Sequence, residues 1–426
     1  MVAIPINRRQ RRWSSRVTLA ALGAVALSVL QAGGAAAQIT DVNPLQTAEA
    51  RLGGSYSFAY TPSVPGASFT WSVERRRASS SSGTFGSPTT VTSTACGTVA
   101  SSAPTITCNL AASTSNETVY TIRVREGTTE QRKTVQVFPA NVRSFFTYEN
   151  PGHPAVLVYL TMPSTFNPAK RPLLVMHGVG RDGNVYCDYW KDWAVRTGTL
   201  VLCPTFTDSR WPSARSYNQG NVVNSSGQPN PESAWSFTAV ENVHAIVRSA
   251  FGITEPTYDL WGHSAGGQFT HRFMLFKPNA PVRYAMPANA GWYTAPALNI
   301  DWQCGLRNVP GVPFDSARAL ATTQRPMVIF RGDRDKQGIE SNTPETNGCM
   351  STPGQAQGPD RYTRAKWFCD KGYAVNPQLA WRLVDVRGVG HDGKAMAQNP
   401  TDGAQKLLDD PVAYLASRTV AGLPCQ

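Results

Sequence analysis

Residues Tyr258-Asp259-Leu260-Trp261-Gly262-His263-Ser264-Ala265-Gly266-Gly267 run from a short apolar strand, through a GxSxG pentapeptide, into a helical pattern. A strand that turns into a helix across a serine holds that residue on a sharp, strained bend and lifts its hydroxyl clear of the sheet, where a carbonyl can reach it. Ser264 is the expected nucleophile. Gly262 and Gly266 stand where strand and helix come closest, positions at which a side chain clashes. The pentapeptide alone also occurs in unrelated serine- and glycine-rich loops, so neighbouring segments have to carry the rest.

Three such segments follow the same plan, an apolar strand that ends in a polar loop. Arg171-Pro172-Leu173-Leu174-Val175-Met176 leads into His177-Gly178-Val179-Gly180, an HGxG loop. Cleavage of an acyl bond builds negative charge on the former carbonyl oxygen, and each preorganised N–H donor there is worth roughly 3 kcal/mol. The backbone N–H groups of Val179 and of Ala265, the residue after the nucleophile, are the expected pair of oxyanion donors. Arg325-Pro326-Met327-Val328-Ile329-Phe330 ends in Gly332-Asp333-Arg334-Asp335. A carboxylate there suits the task of orienting an imidazole and stabilising its cation. Asp335 is the expected acid; Asp333 is its close competitor, since spacing does not separate two residues so near one strand end. Trp381 to Val386 is a strand followed by Gly390-His391-Asp392-Gly393, and His391 is the expected general base, on a flexible loop after the last strand. The other five of the six histidines have duller places. His153 precedes a proline in a linker, His177 belongs to the HGxG loop, His244 and His271 lie on helical stretches, and His263 is inside the elbow.

The order Ser264, Asp335, His391, with LLVMHGVGRDG upstream of GHSAGG and with GDRD and GVGHDG downstream, resembles the α/β-hydrolase superfamily, and within it the secreted polyhydroxybutyrate-depolymerase-like esterases. The likeness runs from about Val142 to the C-terminus. It implies carboxylic-ester hydrolysis through an acyl-enzyme, on a small or polymeric ester, with no metal and no organic cofactor. A serine peptidase or amidase on the same triad, and a non-catalytic binding protein on the same fold, are the alternatives.

The intervening pattern suits that fold. Thr199 to Pro204 reads as a strand, and Glu232 to Phe251 as an amphipathic helix with Phe237, Val240, Val243, Val247 and Phe251 at helical spacing. Alternating strands and helices imply an α/β domain, residues 140–426, with a mainly parallel sheet covered by helices on both faces and a cleft at the strands' carboxyl ends. Long connections there carry aromatics: Trp211 and Tyr217 between Thr207 and Glu232, and Trp292 and Tyr293 between Asn289 and Asp301. They are expected to line a substrate groove, with packing against the domain body as the equal alternative. Lys336 to Asp360 is a further insertion beside the acid loop.

Ahead of this lie two other regions. Arg8, Arg9, Arg11, Arg12 and Arg16 precede the apolar run Val17 to Leu30 and the small residues Ala35-Ala36-Ala37, which describes a secretory signal peptide over residues 1–37. The run is about 14 residues, where a spanning helix needs about 20, so no stable membrane anchor is expected. The full chain carries +12, but residues 1–37 hold five arginines and no acid, which leaves 35 basic against 28 acidic residues, or +7. Arg75-Arg76-Arg77 stands in a strand context without a nucleic-acid motif or stacking aromatics, so a solvated edge is expected and no nucleic-acid partner. Residues 38–139 are rich in Ser, Thr, Gly and Val, with short alternating runs at Ser68–Val73, Thr118–Val124 and Lys133–Phe138. That texture suggests a small all-β immunoglobulin-like sandwich.

All eight cysteines follow the leader, an even number that favours disulfides in a secreted (periplasmic or extracellular) protein, and no metal-ligand spacing accompanies them. Cys96 with Cys108 and Cys187 with Cys203 are the expected pairs. Cys304, Cys349, Cys369 and Cys425 stay unassigned.

Overall fold

Leu173-Leu174-Val175-Met176 is apolar at every position because this strand is buried on both sides. Leu173 and Val175 pack with Tyr186, Trp190 and Trp193 on one face, while Leu174 and Met176 pack with Val240, Val243 and Phe269 on the other. Alternate residues along one strand thus serve two separate cores. The computed structural model describes residues 38–41, 50–51, 53–77, 89–90, 96, 103–112, 118–337, 357–418 and 425. The expected leader, the Ser79-Ser80-Ser81-Ser82-Gly83 loop and residues 338–356 of the third insertion lie outside the described residues.

Sixteen strands are described. β1 (Gln38–Asp41), β2 (Ala50–Arg51), β3 (Gly54–Thr61), β4 (Phe69–Arg77), β5 (Thr89–Thr90), β6 (Thr105–Leu110), β7 (Thr118–Glu126) and β8 (Thr129–Val137) come first. β9 (Arg143–Asn150), β10 (His153–Thr161), β11 (Leu173–Met176), β12 (Val201–Thr205), β13 (Tyr258–His263), β14 (Val282–Ala288), β15 (Met327–Gly332) and β16 (Trp381–Val386) follow. The second group forms one eight-stranded sheet in the order β16-β15-β14-β13-β11-β12-β10-β9. β11 to β16 are mutually parallel, and β10 runs antiparallel to both β12 and β9. From β11 the chain steps outward to β12, then returns past β11 to β13 and continues the other way. The loops after β11 and β13 therefore diverge at a switch point, where such sheets open a crevice.

Helices cover both faces. α1 (Gly183–Thr197), α2 (Ser213–Ser216), α3 (Ser236–Ala250), α4 (Ala265–Phe276), α5 (Ser316–Thr323), α6 (Arg361–Val375), α7 (Gly393–Gln398), α8 (Ala404–Asp409) and α9 (Pro411–Ala416) alternate with the strands. The expected helix from Glu232 begins as a 3₁₀ turn, Glu232–Ala234, and becomes α-helical only at Ser236, after Trp235 takes an extended conformation. Its five spaced apolar residues are all buried.

The hairpin β9–β10 replaces what spacing suggested was a linker. Phe146 and Tyr148 alternate on β9, and Val156, Val158 and Leu160 on β10, all buried on one face. His153 opens β10 and is buried, donating Nδ1–H to Pro154 O at 2.8 Å between the rings of Tyr148 and Trp211.

Upstream, β1-β3-β6 and β2-β8-β7-β4-β5 form two further sheets. Tyr56, Phe58 and Ile106 of one and Trp71, Ile122 and Val135 of the other share a single apolar cluster. Arg76 and Arg77, at the end of β4, are exposed. Cys96–Cys108, Cys187–Cys203 and Cys369–Cys425 are joined as disulfides, and Cys304 is disulfide-bonded as well. Cys349 lies outside the described residues. Three such pairs suit an oxidising compartment. Among the described residues no helix is long and apolar enough to cross a membrane.

Candidate active site

Ser264 sits between the last residue of β13 and the first of α4 with φ 58° and ψ −117°, a backbone conformation rare for any residue with a side chain. Two bonds hold it there: its N–H donates to Ala288 O at 2.9 Å, and its carbonyl accepts from Gln268 N–H at 3.0 Å. Close packing over-determines the bend. A Cβ on Gly266 would strike the carbonyls of Met176 and His177, and one on Gly262 would strike Gly266 itself.

The Ser264 hydroxyl lies 3.0 Å from His391 Nε2, and His391 Nδ1 lies 2.7 Å from Asp335 Oδ2. A carboxylate only accepts, so Nδ1 carries the proton and Nε2 is free to accept from Ser264. The imidazole is one-third exposed, while Asp335 is 2% exposed. A buried carboxylate needs partners, and Arg361 of α6 supplies a second at 3.3 Å from Oδ1. Asp333 faces elsewhere: its Oδ1 accepts from Gly388 N–H at 2.8 Å, which pins the turn before the histidine loop. Asn289, fully buried at φ 43°, clamps the same loop by donating to Gly390 O at 2.9 Å while accepting from Gly332 N–H at 2.7 Å.

The HGxG loop is held by its own histidine. Phe206 N–H donates to His177 Nε2 at 3.0 Å, so the ring proton is on Nδ1 and goes to Gly178 O at 2.8 Å. Complete burial pushes this imidazole down to about 3 and keeps it neutral. Val179 stands 77% exposed at the tip. Among the described residues neither Val179 N–H nor Ala265 N–H donates to a protein acceptor. Ala265 also opens helix α4, where unsatisfied N–H groups and the helix dipole favour negative charge.

The four aromatics expected to line a groove do not. Trp211 (1% exposed), Tyr217 (1%), Trp292 (4%) and Tyr293 (0%) offer almost no surface to a ligand. Tyr217 instead supports the HGxG loop, donating its hydroxyl to His177 O at 2.7 Å and stacking on that ring at 4.3 Å. Trp211 packs edge-on against Phe206 and donates to Ala155 O, Tyr293 stacks on Phe368, and Trp292 lies under the Arg364 guanidinium. Buried Arg272, pushed down to about 9 by desolvation, ties both loops to helix α4 through Asn218 O, Thr294 Oγ1 and Gln268 Oε1. Spacing did not single out Asn289, Arg361 or Arg272; each acts across the fold, where only tertiary placement reveals a role. Among the described residues no group of three or more His, Cys, Asp or Glu side chains is arranged to hold a metal ion.

Among the solved structures that resemble this fold are two about one-third identical to the chain. Poly(aspartic acid) hydrolase-1 from Sphingomonas sp. KT-1 is 33% identical, with a TM-score of 0.57, over 63% of this chain and 98% of that one. A poly(3-hydroxybutyrate) depolymerase from Bordetella parapertussis is 32% identical, with a TM-score of 0.56, over 65% of this chain and 94% of that one. No family model and no curated protein matches the chain. The chain belongs to the α/β-hydrolase superfamily, in its esterase and depolymerase-like group.

Proposed function

We propose that the protein is an exported serine esterase in which Ser264, His391 and Asp335 act as a catalytic triad on ester-linked polymers such as polyhydroxyalkanoates. The observation that carries the reading is the hydrogen-bonded line from Ser264 Oγ through the imidazole to Asp335. His391 Nε2 takes the hydroxyl proton as Ser264 Oγ attacks the ester carbonyl. The oxyanion is met by the N–H groups of Val179 and Ala265. Collapse of the tetrahedral adduct expels the alcohol, which receives the proton from His391 and leaves an acyl-enzyme. Water then attacks with His391 as base again, releasing the acid and restoring Ser264.

Residues 1–37 serve as the leader, cleaved near Ala37, and residues 38–139 form an immunoglobulin-like sandwich accessory to the catalytic domain at 140–426. Secretion suits a substrate too large to enter a cell, and the Bordetella structure is named a depolymerase of a polyester. A second reading, amide cleavage by the same triad, draws on the Sphingomonas structure, since poly(aspartic acid) is an amide-linked polymer.

The test is turnover of matched ester and amide substrates, together with release of soluble acid from polyester particles. Ester turnover that exceeds amide turnover, with acid released from particles, is expected. Faster amide cleavage selects the second reading, and inert particles beside active soluble esters remove the polymer.

A further inference from the structure

His263, inside the elbow, packs its ring against that of His391. Its ring is buried, and its centroid lies 4.6 Å from that of His391, with the planes 38° apart. On its other side His263 Nδ1 lies 3.0 Å from Tyr186 Oη. Tyr186 comes from α1, and its oxygen stands against Gly178 of the HGxG loop, where a Cβ would meet it at 2.6 Å. In the tautomer with the ring proton on Nε2, the phenol donates to His263 Nδ1. Nε2 is buried and has no partner among the described residues. The fit leaves no slack, because a Cβ on Gly393, where α7 begins, would press on His263 Nδ1 at 3.1 Å and Tyr189 Cε2 at 3.3 Å.

We propose that Tyr186 and His263 form a positioning pair: Tyr186 locks the His263 ring in its neutral form, and that ring braces His391 and faces the imidazolium formed when Ser264 loses its proton. The proposal rests on the catalytic reading of Ser264, His391 and Asp335. A neutral aromatic face attracts a cation, whereas a second imidazolium at this separation would repel it. Burial holds His263 well below the ordinary histidine range. His391 is faced by Asp335, by Ser264 and by His263, with Arg361 behind Asp335 and Asp392 next along the chain. His263 is faced by Tyr186 and Tyr189 of α1, with Asp182 and Asp392 acting on Tyr186 and Arg361 acting on His263. The same two residues therefore stand between the oxyanion loop, at Gly178, and the base.

The experiment compares the full protein with Tyr186→Phe, His263→Leu and the double variant on a soluble ester, reading kcat, KM and the pH dependence of kcat/KM. Tyr186→Phe and His263→Leu are each expected to lower kcat about tenfold with KM little changed, as loss of positioning does. Removing a ring that favours the imidazolium lowers the basicity of His391, so the acid limb of His263→Leu moves to lower pH by about half a unit. The double variant should be no worse than His263→Leu, since the hydroxyl acts through the ring. Parent-like kcat and acid limb in both single variants, or multiplicative losses in the double, overturn the pair. Should His263→Leu fail to fold, Tyr186→Phe, which deletes one oxygen, decides alone through its kcat. Labelling of Ser264 by an organophosphonate in the parent keeps the two claims apart: a parent that neither labels nor turns over ester overturns the catalytic reading and the pair with it.

Discussion

Asp335 and Asp333 are two residues apart, yet one lies on the imidazole and the other on a backbone N–H of the neighbouring turn. Asp335→Asn should lower kcat by about 10⁴ because it offers the wrong partner to Nδ1–H. Asp333→Asn keeps an acceptor for Gly388 and should cost less than tenfold; steady-state kinetics on one ester compares them, and the reverse ranking would transfer the acid role. The remaining histidines carry a different expectation. Burial holds His177 down to about 3 and His244 down to about 4, both below the ordinary value of about 6.5. With the folded pKa depressed, the unfolded chain binds more protons below about 6.5. The stability these groups confer is whole above that pH and drains away toward 3–4, by up to ~1.4 kcal/mol per pH unit for each. Urea denaturation between pH 7 and pH 4 should show the slope, and His244→Leu should flatten it; an unchanged slope would contradict the assignment. At this scale the sequence was informative for groups that stand at strand ends beside glycines, which is why Ser264, His391 and the GDRD pair, brought close together by the fold, could be singled out as candidates. It was silent on Asn289 and Arg361, whose partners come from distant segments, and left Trp211, Tyr217, Trp292 and Tyr293 open between groove and packing, which only their burial separates.

The elbow works as an element because strand β13, helix α4 and the end of β11 meet backbone to backbone. Gly266→Ala should destabilise the fold by about 3 kcal/mol or more, since the new methyl meets backbone carbonyls at the end of β11 rather than a movable side chain. An unfolding midpoint within error of the parent would contradict that packing. Cys187 lies on α1 and Cys203 on β12, 16 residues apart, so their bond fastens the helix carrying Tyr186 to the sheet. Replacing both by serine should cost about 3 kcal/mol in the chain-entropy picture, read from denaturant titrations without reductant. Strands β11 and β15 were legible as proline-led apolar runs, because burial on both faces leaves few polar positions. The hairpin β9–β10 was not, for its half-buried alternation is interrupted where His153-Pro154 reads as a break in a linker.

Across the whole molecule, the region that resembles known hydrolases accounts for about two thirds of the chain, and the two upstream sheets enclose a core of their own. Phe138 nevertheless packs on Phe146 and Phe251, and Gln136 donates its side chain to Phe145 O, so the two regions share contacts at their junction. The organisation was legible as a change of texture, from short alternating runs to strand-helix alternation. What the upstream region does was not, because a solvated sheet surface carries no reacting group to recognise. Every functional statement depends on a hydroxyl made nucleophilic by the imidazole beside it. Intact-mass and peptide mapping after treatment with an organophosphonate measures that directly: one adduct on Ser264 is expected in the parent, none in Ser264→Ala, and labelling slowed by orders of magnitude in His391→Ala. A folded parent left unlabelled, or an adduct that persists in Ser264→Ala, would contradict it.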